Sequence, residues 1–107
     1  MATITPTAAA TAGGTVGYAS ASAGGDSVVV GTRSDVIFLV RNASGGSINV
    51  TFAGSLACSQ GSTHNVVVAC PVGDTKILVP PQSVAVDTGI AAVTYSAVTS
   101  VTVAATY

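Results

Sequence analysis

His64 is the only histidine in this chain, and its acids are four aspartates, Asp26, Asp35, Asp74 and Asp87, with no glutamate. Nucleophilic catalysis needs a base beside a nucleophile and an acid to orient that base. Ser62 and Thr63 stand next to His64 in sequence, but neighbours along an extended chain point to opposite faces. His64 lies in the polar stretch from Gly54 to Asn65, so it reads as a solvated loop histidine, the residue type whose charge changes near neutral pH. Each aspartate adjoins Gly, Ser or Thr at an expected turn, where its side chain bonds nearby backbone N–H groups. The dense Asp-x-Asp spacing of a calcium loop is absent. These residues predict no catalytic, cofactor-binding or metal-binding site, and the chain is not expected to be an enzyme.

Cys58 and Cys70 are the only cysteines. Together with one histidine they cannot fill a structural zinc site, which takes four ligands. Joined as a disulfide they would close the intervening loop and stabilise the fold by about 3 kcal/mol on the chain-entropy model. Such bonds persist in secreted proteins and on virion surfaces and are rare in the cytosol. Two buried thiols are the alternative, and the spacing does not choose between them. Gly13-Gly14, Gly24-Gly25 and Gly45-Gly46 lack the lysine and the following helix of a phosphate loop, and so read as turn glycines. Asn42-Ala43-Ser44 and Asn49-Val50-Thr51 match the glycosylation pattern, which is short and frequent by chance.

Hydrophobic residues make up 49 % of the 107-residue chain and charged residues only 7 %, whereas ordinary soluble domains carry about 25 % charged residues. The first figure argues against disorder. The second leaves a surface of Ser, Thr, Ala, Gly and Asn, which suits a protein covered by an assembly more than a free monomer. With Arg33, Arg41 and Lys76 as its only cations, the chain offers no basic patch for nucleic acid. Residues 1–6 carry neither the charged nor the apolar region of a secretory signal. No apolar run approaches the roughly 20 residues of a membrane helix. The expectation is a chain made in the cytoplasm, with no nucleic acid, membrane or cofactor among its partners.

Val and Thr, stiff at χ1 and suited to a pleated sheet, dominate the elements. Strands are predicted at 15–22, 27–32, 35–42, 47–53, 66–70, 76–79, 83–86, 92–95 and 101–105. Asp35–Asn42 holds the longest apolar run, Val36 to Val40, which predicts burial on both faces or a central position. Ile48, Val50 and Phe52 alternate with Ser47, Asn49 and Thr51, so 35–42 and 47–53 together read as a β-hairpin. About eight short strands at even spacing predict an all-β antiparallel sandwich or barrel. Residues 1–25, rich in Ala, Gly and Ser, are expected to form a flexible or extended N-terminal arm, and 26–107 the β-sandwich domain.

The run from Val36 to Thr51, VIFLVRNASGGSINVT, and the ending Ala92 to Ala105, AVTYSAVTSVTVAA, resemble segments of small head structural proteins of tailed bacteriophages, the capsid decoration or cement proteins. The resemblance spans about two thirds of the chain, from Asp26 onward, and leaves out the Cys58–Cys70 loop. It implies a compact β-sandwich, often trimeric, that sits on the lattice of a major capsid protein at the virion surface. It brings no catalytic residues. The arm before Asp26 is then expected to lie across adjacent capsid subunits. A tail-fibre, receptor-binding or adhesin-like module, and a self-assembling tube or filament subunit, are the other readings that the composition allows.

Overall fold

A computed structural model describes residues 2–8, 13–54, 64–85 and 88–107. Among these, nine strands form: β1 (Ala2–Ile4), β2 (Ala19–Ser20), β3 (Asp26–Val29), β4 (Ile37–Asn42), β5 (Ile48–Phe52), β6 (Val66–Cys70), β7 (Gly73–Leu78), β8 (Ile90–Tyr95) and β9 (Val101–Thr106). They make two sheets, ordered β1-β3-β8-β5-β6 and β2-β9-β4-β7. Every pairing is antiparallel except that of β1 with β3 and an isolated parallel bridge from Thr7 to Thr106. The fold is therefore the predicted all-β architecture, in its sandwich form.

Period-2 patterning supplies the core. Val28 in β3, Val50 and Phe52 in β5, Val93 in β8, Phe38 and Val40 in β4, and Val101 and Val103 in β9 are all at most 1 % exposed. The rings of Phe38 and Phe52 meet across the two sheets, centroids 5.6 Å apart and 84° to one another. Edge-to-face contact of this kind adds about 0.5–1.5 kcal/mol to the area the rings bury. The apolar run in β4 is explained by its place between β9 and β7. Phe38 and Val40 point inward, while Leu39 is covered on the outer face, where it pairs with Ala104.

The predicted hairpin is not formed. β4 belongs to the four-stranded sheet and β5 to the five-stranded one, so the turn at 43–47 carries the chain from one sheet to the other. Both strands turn their large apolar residues toward a shared interior. Facing each other across the core buries more of that surface than lying side by side. Of the eight connections, only β5 to β6 stays within one sheet.

Smaller differences have local causes. Pro80-Pro81 starts a single 3-10 turn at Pro81–Ser83 that runs into the strand expected at 83–86, of which Val84 makes one bridge to Ala91 and Val86 lies outside the described residues. The strand expected at 76–79 begins at Gly73, because β7 pairs along the whole length of β4. The strand expected at 15–22 shrinks to Ala19–Ser20.

The described part of the N-terminal segment is extended and paired with the chain's own strands. Ala2–Ile4 lies beside β3, Thr7 bridges to Thr106 in the opposite sheet, and Ala19–Ser20 edges β9. Gly25 makes the approach to β3 feasible. Its φ is +93°, and a Cβ there would stand 2.7 Å from the carbonyl oxygen of Val93, so no other residue fits without strain.

Candidate functional site

Four features stand out above the regular sandwich. The first is a buried carboxylate. Asp26 opens β3 on its inward face and is 1 % exposed. Its Oδ1 accepts the backbone N–H of Ala2 at 3.0 Å, and its Oδ2 accepts the N–H of Ser22 at 3.2 Å and the Tyr95 hydroxyl at 2.6 Å. One side chain thus ties together β1, the loop before β3, and β8. Beside it lies a cavity of about 180 Å3, walled by threonines of the N-terminal segment, Ser20, Val103 and Ala105.

Burial pushes the Asp26 carboxyl up, but hydrogen bonds from Tyr95, Ser22 and Ala2 outweigh it and hold the group below the ordinary carboxylate range. Burial, with the adjacent Asp26 carboxylate, drives the Tyr95 phenol well above the ordinary tyrosine range. These directions fix a pH profile. Asp26, depressed in the folded state, stabilises above its unfolded value of about 3.9 and loses that contribution as pH falls through its folded value. Tyr95, raised in the folded state, favours folding below about 10 and opposes it as the unfolded phenol ionises. Equilibrium unfolding at a series of pH values should show both losses. In Tyr95→Phe the alkaline loss from this group should disappear, and its persistence there would refute the assignment.

The second feature is Asn42, at the end of β4 and 1 % exposed. Its Nδ2 donates to the carbonyls of Gly46 at 2.8 Å and Cys70 at 3.1 Å, and its Oδ1 accepts from the Ser44 N–H at 3.0 Å and the Ser44 hydroxyl at 2.6 Å. It fastens the sheet-crossing turn to the end of β6. Burial removes this asparagine from any role as a glycosylation acceptor, whereas Asn49 stands exposed on β5.

The third is an apolar cavity of about 230 Å3 at one end of the sandwich, lined by Val30, Val36, Val79, Pro81 and Val84, with Arg33 among its lining residues. Arg33 forms a two-pronged ion pair with Asp35 at 3.0 and 3.1 Å and lies 3.6 Å over the Tyr107 ring. Arg41 is held by a single bond, its Nε donating to Asp74 Oδ1 at 3.1 Å, and lies 4.1 Å over the Tyr18 ring. Two of the three cations thus spend their charge locally on two of the four acids. Exposed pairs of this kind contribute only about 0–1 kcal/mol, and they leave the surface nearly blank electrically.

The fourth is the β6–β7 flank. β6 closes one sheet and β7 the other, and each has a single paired neighbour. Among the described residues, the large apolar ones that stand most exposed all fall here: Val67 at 59 %, Val72 at 56 % and Leu78 at 59 %. β6 reads Val66-Val67-Val68-Ala69-Cys70 and carries none of the charges or prolines that normally protect an edge strand.

The residues singled out by sequence scatter. His64 is exposed beside the neck of the loop, where Gly54 N–H donates to Asn65 Oδ1 at 2.9 Å. Asp35 and Asp74 are surface ion-pair partners, and of the described aspartates only Asp26 is buried. Cys70 is fully buried at the end of β6, and burial pushes its thiol up against the opposing hydrogen bond with Thr75. Cys58, Ser62, Thr63 and Asp87 lie outside the described residues, and so does the choice between a Cys58–Cys70 bridge and two thiols. No group of three or more His, Cys, Asp or Glu gathers among the described residues, and no helix there is long and apolar enough to cross a membrane. Asp26 and Asn42 were missed as buried organisers because Gly25-Asp26 and Asn42-Ala43 both look like turns. The large inward Val28 and Val40, two positions away on the same strands, were the available signal.

Fold and surface define a small all-β sandwich with few charges and an uncharged, apolar edge strand, β6. The chain matches no family model, no curated protein and no solved structure.

Proposed function

We propose that this chain is a non-enzymatic structural protein that decorates and stabilises a bacteriophage capsid lattice. The observation that carries the reading is the β6–β7 flank. In a chain with 7 % charged residues, the exposed large apolar side chains among the described residues, Val67, Val72 and Leu78, gather along the β6–β7 flank, where β6 is an uncharged edge strand. The resemblance of Val36–Thr51 and Ala92–Ala105 to phage head proteins gives the partner its class, a major capsid protein, and favours a trimer at the virion surface. Contact is assigned to this flank rather than to the arm, because the described part of the arm already pairs with its own chain. An extended segment of the partner adds as a strand beside β6. Main-chain hydrogen bonds give affinity and Val67 gives fit, and repetition across the lattice turns weak contacts into avidity.

Val67→Lys places a charge on that edge without touching the core. The variant should keep its circular dichroism and melting temperature, and should lose binding to empty capsid shells by at least about tenfold, or about 1.4 kcal/mol. Unchanged saturation of the shells would overturn the assignment of this flank. A second reading, a self-assembling tube or filament subunit, rests on the same open edge. A head-to-tail edge contact that does not close into a ring grows without limit. Light scattering of the purified chain separates the two, since growth without shells belongs to the filament alone.

A further inference from the structure

The sandwich carries an apolar hollow at one end and an apolar projection at the other. β7 runs along β4 from the pair Gly73–Asn42 to the pair Leu78–Ile37. Just past the second pair, Val36 and Val79 line the cavity of about 230 Å3, with Val30, Pro81 and Val84. Just before the first pair, Val72 stands 56 % exposed between Pro71 and Gly73. At about 3.3 Å per residue, the strand between Val72 and Val79 spans roughly 20 Å. Proline fixes φ ahead of the protruding valine, and Gly73 turns the chain behind it with a φ of +115°. Val72 thus sits at the tip of a tight, stiff turn.

The chemistry of the cavity selects its occupant. The backbone N–H groups of its walls are already engaged, Val79 with the carbonyl of Val36 at 3.0 Å and Val30 with that of Gly89 at 2.8 Å. Arg33 is the one charged side chain among the described lining residues, and its guanidinium is committed to Asp35 and the Tyr107 ring. An anion would meet a neutralised cation there, and water finds few partners in an apolar hollow. An apolar side chain fits. We propose that Val72 of one copy of this chain enters the cavity of the next, so that copies join head to tail. Charge complementarity argues for a second copy as the occupant. Each end carries one arginine and one aspartate, Arg33 with Asp35 beside the cavity and Arg41 with Asp74 beside Val72, all about half exposed. Apposed ends therefore offer every charge an opposite one. The net charge of −1 leaves little repulsion between copies.

The two surfaces differ, so the contact is heterologous. It closes into a ring or continues as a filament according to the rotation between successive copies. It uses the ends of the sandwich and neither the β6 edge nor Val67. The proposal stands independently of the capsid reading, and Val67→Lys, which tests that reading, leaves this joint untouched.

The test is sedimentation of the full purified chain over a concentration series. The wild type should associate as concentration rises. Val72→Asp should keep its circular dichroism and raise the concentration of half-assembly at least about tenfold. Val84→Asp, which puts a carboxylate on the cavity wall, should do the same. Mixed together, the two variants should form a one-to-one dimer and nothing larger, because the first keeps only the cavity and the second only the valine. A wild type that stays monomeric up to about 1 mM overturns the proposal. So does a Val72→Asp chain that associates as the wild type does, or a mixture that forms no dimer. Val84 is half-buried. Should its variant not fold, methyl NMR of the wild type over the same series decides. Concentration-dependent shifts at Val72 together with Val30, Val36 and Val79 support the joint, and shifts that leave either group unmoved refute it.

Discussion

Replacing Phe52 by Ala should remove a large share of the chain's stability. The side chain is 0 % exposed and meets Phe38 edge to face across the two sheets, 5.6 Å between centroids. Phe→Ala in a core costs about 3–5 kcal/mol, part lost transfer energy and part the cavity left behind. A domain of this size has only about 5–15 kcal/mol in total. The melting temperature should fall by roughly 12 °C or more, at about 4–8 °C per kcal/mol. Phe38 is the chain's only other phenylalanine, and there is no tryptophan. A melt followed by circular dichroism, with Thr51→Ala on the same strand as comparison, measures the effect. A shift no larger than that of Thr51→Ala would show that the sheets do not depend on this contact.

Asn42→Leu should cost about 2–4 kcal/mol, from the carbonyl of Cys70 left buried without its donor and the lost bonds to Gly46 and Ser44. Leucine nearly preserves the volume, so the loss reports on hydrogen bonding rather than on a cavity. Denaturant unfolding should show a lower midpoint at unchanged slope. A neutral substitution would mean that Asn42 only fills space. A changed slope would mean that the crossing turn has opened in the native state.

These two residues mark the limits of what the sequence disclosed. Phe52 was legible as core, because Ile48, Val50 and Phe52 alternate with Asn49 and Thr51, and period-2 burial is local. Asn42 was not, because its value comes from carbonyls at Gly46 and Cys70, the latter 28 positions away. The same holds for Asp26, whose hydroxyl donor Tyr95 is 69 positions away. Both looked like turn formers, which is what their types do when no distant partner is known.

By itself the sequence determined the class of fold, most strand positions and the inward faces, since Val and Thr bias the backbone and alternation assigns the sides. It also determined the nearly uncharged surface, which is a matter of counting. Only the tertiary structure decided which strands pair. β4 and β5 look like a hairpin along the chain yet lie in opposite sheets, because local pattern says which face is apolar but not which apolar face it meets. The exposed edge of β6, the burial of Asp26 and the meeting of Ala2 with its carboxylate follow from that choice, and each depends on residues far apart in the chain.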